Sequence, residues 1–183
     1  MEARSIILVS CGLFEKKLTR KVARDVSLEF HLPVELRDCS LDISDFYNPG
    51  RRQYDANLFL DSITRVAPEE AIKVIGMVRV DLFIPILTNI FGQARLNGHT
   101  GLASLYRLRN EHYGLEPDYD LLIDRFSKVI IHELGHSFGL IHCNNPVCVM
   151  RSSTYVEDLD QKEKHFCFRC RTELNRVCSL MDL

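Results

Sequence analysis

His132, Glu133, His136 and His142 stand together in the run HELGHSFGLIH, and Cys143 and Cys148 follow at once in HCNNPVCVM. Imidazole nitrogens and thiolates are the usual ligands of zinc, and a carboxylate beside them is a candidate proton acceptor. A helix places residues i and i+4 one turn apart on one face, so His132 and His136 can converge on one ion. Glu133, one position on, lies about 100° round the axis. It is too far round to join the pair and near enough to touch a water on the metal. Were the helix to continue past His136, the third imidazole at His142 would turn to the wrong side. Gly139 lies between them, and glycine can take the left-handed conformation that ends a helix and reverses the chain. H-E-x-x-H-x-x-G-x-x-H is therefore a geometrical pattern: helix, stop, return, third ligand. It is much more specific than H-E-x-x-H alone. Three neutral imidazoles leave zinc its full double charge, which lowers the pKa of bound water toward about 7 and polarises a carbonyl. Glu133 is then the expected general base, taking the water's proton and passing it to the leaving amine. Met150, on the return path beyond His142, is expected to form an apolar floor under the imidazoles.

Cys143 directly follows His142, and adjacent side chains diverge, so its thiol is expected to face away from the first metal. It pairs with Cys148, and both pair with the C-x2-C of Cys167 and Cys170. Four thiolates in two short-spaced pairs are a structural zinc pattern, closed and tetrahedral, with no position left for water. His165 could replace one thiol, but four are already available. Cys11, Cys39 and Cys178 are scattered and read as small buried hydrophobes. The expectation is two zinc ions, one catalytic and one structural.

The elements that must carry these groups follow from periodicity. Residues 4–10 read as a buried strand, and Phe14, Leu18, Val22, Val26 and Phe30 mark one face of a helix over 13–30. A second strand is expected over 32–36, a loop over 38–53 rich in Asp, Asn, Pro and Gly, and a helix over 54–66. The β-branched run 71–84 reads as one strand, 89–93 as another with Gly92 hinting at an edge or bulge, and 101–108 as a third. A long helix over 118–139 has Leu121, Leu122, Phe126, Val129, Ile130 and Leu134 on its apolar face. Alternating strands and helices predict an α/β (α+β) fold, with a mixed, mostly parallel sheet flanked by helices. After Gly139 the strand pattern stops and large apolar residues thin out. The chain is therefore expected to divide into 1–139, ending in the zinc helix, and 140–183, a smaller zinc-stapled subdomain.

At 183 residues, 46% hydrophobic, 26% charged and net charge −2, the chain has the composition of a globular protein. There is no basic excess to favour nucleic acid and no apolar run of membrane-spanning length. The opening MEARSIILVSCGLF lacks a small-residue cleavage site and reads as a strand, not a signal peptide. The expected compartment is the cytoplasm, where unpaired cysteines stay reduced. The chain is expected to act as a monomer.

HELGHSFGLIH with Met150, the continuation C-x4-C-x-M, and the later C-x2-C resemble the archaemetzincin branch of the metzincin zinc peptidases. The stretch DLFIPILTNIFGQA…GLASLYRL reads like that family too. The resemblance implies a metzincin-like twisted sheet with one antiparallel edge strand, and hydrolysis of peptide bonds in a peptide or protein substrate. By similarity, His132, His136 and His142 bind the catalytic zinc, with Glu133 the base and Met150 the residue of the Met-turn. Cys143, Cys148, Cys167 and Cys170 form the second site. Some metzincins carry a tyrosine two residues after that methionine, where Ser152 stands here; Tyr155 is nearby. In such folds an extended substrate lies along an edge strand above the zinc helix, which points to Asn89, Ile90, Phe91, Gly92 and Gln93. Arg51 and Arg52 are candidates to meet a substrate carboxylate. The alternative is a two-zinc binding or regulatory protein of the same fold with little turnover; the intact Glu133 favours the enzyme.

Overall fold

Strand β1 (Ile6–Cys11) is apolar from Ile6 to Val9 because both of its faces are covered. Side chains alternate across a strand. Ile6 and Leu8 point to a core shared with helices α1 (Lys16–Phe30) and α3 (Tyr119–Ser137). Ile7 and Cys11 point to a second core against α2 (Ala56–Val66). This continuous run is what a doubly covered parallel strand requires. The computed structural model describes residues 4–39 and 41–183. Residues 1–3 of the opening, and Ser40 of the expected 38–53 loop, lie outside the described residues.

The main sheet has five strands in the order β2 (Val34–Cys39), β1, β5 (Lys73–Val78), β9 (Thr100–Ser104) and β8 (Gly92–Ala94). Its pairs are parallel except for β8, an antiparallel edge strand on β9. This is the mixed, mostly parallel sheet expected. A second, four-stranded sheet was not expected. It runs β3 (Tyr47–Asn48), β4 (Gln53–Asp55), β6 (Leu82–Ile84), β7 (Leu87–Ile90).

The second sheet corrects three readings. The 38–53 loop contains β3, the start of β4 and a 3-10 turn at Ser44–Phe46. The 71–84 run is two strands in two sheets, broken at 79–81, where Asp81 takes Arg107 Nε at 2.6 Å and Gln53 Nε2 at 3.0 Å. The 89–93 segment likewise divides between β7 and β8, at Phe91, whose side chain is buried in the core. β-propensity reports a fit to a pleated surface and is blind to which sheet that surface belongs to. The 101–108 strand ends at Ser104 and passes into a 3-10 turn at Tyr106–Leu108.

Two helices follow Gly139, α4 (Val156–Asp160) and α5 (Phe168–Leu180). The segment is richer in core residues than its composition suggested. Leu140, Val149, Met150, Leu159 and Leu174 are buried in the same cluster as α1 and α3. Among the described residues no helix is long and apolar enough to cross a membrane.

Candidate active site and metal centres

Helix α3 begins at Asp118, whose side chain accepts the backbone N–H of Leu121 at 2.9 Å. It runs across β8 and β9 and ends in a glycine-directed reversal. Leu140 N–H reaches Gly135 O at 2.9 Å and Gly139 N–H reaches His136 O at 2.9 Å, with Gly139 at φ 93°. That pair of bonds is the Schellman arrangement, which satisfies the last carbonyls of a helix while turning the chain back. Lys73 and Asn97 complete the helix end: Lys73 Nζ donates to Ser137 O at 2.8 Å, and Asn97 N–H to His136 O at 2.9 Å.

The reversal brings His142 to His132 and His136. The ring centroids of His142 lie 5.3 Å and 4.9 Å from theirs, and candidate ligand atoms of all three fall within 4.8 Å of one another. Exposure rises from His132 to His136 to His142. Two rings are held from behind. His132 Nδ1 donates to Val149 O at 2.8 Å, and His136 Nδ1 to Leu140 O at 2.7 Å. A carbonyl only accepts, so both Nδ1 atoms carry the proton and both Nε2 atoms present lone pairs. Those lone pairs face each other at 3.0 Å. Burial, aided by the Lys162 cation, holds His132 well below the ordinary imidazole range, and burial lowers His136 and His142 as well. Neutral nitrogens aimed at one point fit a zinc ion, whose tetrahedral edge with nitrogen ligands is roughly 3.3 Å.

Glu133 is 7% exposed, and its carboxylate accepts no hydrogen bond from the described residues. Burial pushes it up to about 8, opposed by the Lys162 ammonium. Its neighbour across the cleft is Gly92: a Cβ there would sit 2.8 Å from Glu133 Oε1. Met150 is fully buried against Gly135 of the same helix turn as His132 and His136, where a Cβ would overlap its sulfur.

A cleft of about 680 Å³ opens over these groups. Asn89, Ile90, Phe91, Gly92 and Gln93 all line it together with Glu133 and the three histidines. Ser104 N–H bonds Phe91 O at 2.7 Å and Arg95 N–H bonds Thr100 O at 3.4 Å. By the alternation of an antiparallel ladder, Gln93 also faces β9, and the backbone groups of Gly92 and Ala94 face the free edge. Arg51 is elsewhere: its guanidinium stacks 4.3 Å over the Phe83 ring and bonds Ile84 O at 3.4 Å, bracing the β6–β7 hairpin.

The four thiols of Cys143, Cys148, Cys167 and Cys170 form the second cluster, with all sulfurs within 4.8 Å. Cys143 and Cys167 sulfurs are 3.7 Å apart. That is far beyond the roughly 2.05 Å of a disulfide and matches the roughly 3.8 Å edge of a zinc tetrathiolate. Backbone N–H groups point at the sulfurs, from Asn145 to Cys143 at 3.5 Å and from Cys167 to Cys148 at 3.3 Å. His165 is not among them; its Nδ1 lies 2.7 Å from Glu29 Oε2.

Sequence reasoning missed Lys162, Arg107 and Tyr113, which also line the cleft. Lys162 lies in the charged run Asp158–Lys164, which carries no signal distinguishing it from a solvated surface. Its burial follows only from the packing of that run against the Met150 turn.

The family model of peptidase family M54 matches residues 44–176. An archaemetzincin of Thermococcus kodakarensis is 36% identical over 180 residues, 94% of this chain and 96% of that one. The crystal structure of an archaemetzincin from Methanopyrus kandleri superimposes with a TM-score of 0.85 at 32% identity, covering 97% of this chain and 96% of the other. That of a zinc-dependent peptidase from Methanocorpusculum labreanum gives 0.81 at 31% identity, covering 93% and 100%.

Proposed function

The chain belongs to the archaemetzincins of peptidase family M54 and is a zinc metallopeptidase; from that premise we propose that His132, His136 and His142 hold a catalytic zinc and that Glu133 is the general base. The observation that carries the reading is the pair of Nε2 lone pairs 3.0 Å apart, each fixed by a carbonyl behind its ring. Bound there, zinc would supply Lewis acidity, making water more acidic and a carbonyl more electrophilic.

The chain's own residues supply the rest. Val149 O and Leu140 O orient two imidazoles. Glu133, buried and free of hydrogen bonds from the described residues, takes the proton of the attacking water and returns it to the leaving amine. The free N–H and C=O groups of Gly92 and Ala94 pair with an extended peptide, laying its backbone over Glu133. Cys143, Cys148, Cys167 and Cys170 hold a second, structural zinc, so the stoichiometry is two per chain. That clamp organises the 140–183 portion, and the 1–139 portion supplies the sheet and the zinc helix. Four reduced thiolates suit a cytoplasmic setting, and the chain acts as a monomer.

The test is a peptide-library digest by wild type and Glu133→Ala, with zinc content measured for both. The expected result is cleavage by wild type, and loss of cleavage with full zinc in the variant. Cleavage by Glu133→Ala at the wild-type rate removes Glu133 as the base. Fully metallated wild type that cuts nothing removes the peptidase reading.

A further inference from the structure

We infer that Lys162 is a positioning residue for the imidazole site, holding the Val149 carbonyl against His132 and locking the turn that carries Met150. The inference rests on the reading of the three histidines as a metal site. Lys162 is 3% exposed, and its ammonium donates to Val149 O at 2.8 Å and Arg151 O at 2.7 Å. These two carbonyls flank Met150. Val149 O is the same atom that accepts His132 Nδ1–H at 2.8 Å. A carbonyl has two lone pairs and satisfies both donors at once. The ammonium therefore fixes the acceptor that fixes the ring.

Among the described residues no carboxylate comes within ion-pair distance of Lys162, Glu133 acting on it only at longer range, which sets it apart from Lys128, paired with Asp124 at 2.6 Å. An ammonium held only by carbonyls in a dry interior is costly, and a methionine would fill a similar volume without that cost. What the position needs is the donors. The 147–151 turn lacks a strand partner: Cys143 N–H holds Met150 O at 2.9 Å, Arg151 N–H holds Cys148 O at 2.9 Å and Val149 N–H bonds His165 O at 3.0 Å, which leaves Lys162 to hold Arg151 O and to share Val149 O with His132. Releasing Lys162 frees two carbonyls to rotate. His132 then loses the fixed partner that sets its tautomer and ring orientation. Groups that orient a metal-binding histidine typically govern about 10- to 100-fold in metal affinity.

The experiment compares the holoprotein with Lys162→Met, Lys162→Gln and the control Lys128→Met. Glutamine is one atom shorter than lysine and cannot span both carbonyls. Zinc affinity is read at the two sites separately by competition with a chromophoric chelator. Cobalt substitution assigns the sites, since only the thiolates give sulfur-to-metal charge transfer. The expected result is a 10- to 100-fold weaker imidazole site in both Lys162 variants, with the thiolate site unchanged within twofold. Lys128→Met lowers the melting temperature and leaves both affinities in place. Imidazole-site affinity within twofold of wild type in Lys162→Met overturns the inference, as does an equal fall at both sites. If Lys162→Met does not fold, Lys162→Gln is read by the same criteria. These readouts need no substrate, so a protein that binds metal as described yet cuts no peptide loses only its peptidase reading. A wild type that binds metal at the thiolates alone loses both.

Discussion

Gly92→Ala tests whether the edge strand sets the position of Glu133. The added methyl would lie 2.8 Å from Glu133 Cγ, 2.8 Å from its Oε1 and 2.8 Å from Leu102 O. Ordinary contact begins near 3.4 Å, so about 0.6 Å must be found. Leu102 lies within β9, which is paired to β5 on one side and β8 on the other, so its carbonyl yields least. The Glu133 side chain is the part that moves. Gly92 has no left-handed φ, so the effect is steric and not a backbone penalty. Overpacking of this kind costs about 1–3 kcal/mol, and a chain of this size loses about 2–4 °C of melting temperature per kcal/mol. A shift approaching 1 Å at a reacting group costs on the order of 100-fold in rate. The expectation is a fall in kcat of about 10- to 100-fold with zinc content intact. The assay is turnover of a fluorogenic peptide chosen from the library digest, alongside metal analysis and thermal melting. A kcat within twofold of wild type, in a variant whose melting temperature has dropped, would show that β8 yields instead and that Gly92 does not place the base.

Gly139→Ala puts a side chain at φ 93°, a strain of about 1–2 kcal/mol, and should swing His142 off the other two rings; metal analysis is expected to fall from two zincs to one. Retention of both zincs with full turnover would mean that the reversal tolerates a side chain. Cys170→Ser removes a thiolate from the closed site, and because structural zinc is folding free energy, hydrogen exchange should accelerate across 140–183 before it does in β1 or β5. Uniform exchange would argue against a staple. The buried Cys11 thiol is pushed up to about 12 from 9.0, chiefly by burial and then by Cys39. Its contribution to stability is therefore complete below pH 9 and fades as pH climbs toward about 12, where the unfolded chain gives up a proton that the folded chain keeps. Urea midpoints measured from about pH 8 to about pH 10 should fall more steeply in wild type than in Cys11→Ala; parallel curves would contradict the burial.

Local geometry was legible in the residues themselves. His132 and His136 share a helix face by arithmetic, Gly139 permits a turn that other residues resist, and Cys143 with Cys148, like Cys167 with Cys170, stand close by their short spacing. All of these are short-range constraints, met within a few bonds of the residues that impose them. The mostly parallel core sheet was legible because apolar runs and helical stripes record how many faces of an element are covered; its antiparallel edge was implied by the family resemblance alone.

Tertiary structure alone decided the rest. Residues 71–84 and 89–93 each read as one strand, because a β-branched run looks the same whichever sheet it joins; the break at Asp81 exists because Arg107 and Gln53, distant in sequence, arrive there. The 140–183 portion looked poor in core because its few apolar residues are spread thin along the chain, and only packing gathers them beneath α3. Lys162 looked like one more surface charge until the fold brought two carbonyls to it. A short motif carries its geometry in its own backbone, whereas burial and the partners of a buried charge depend on segments that meet only when the chain has folded.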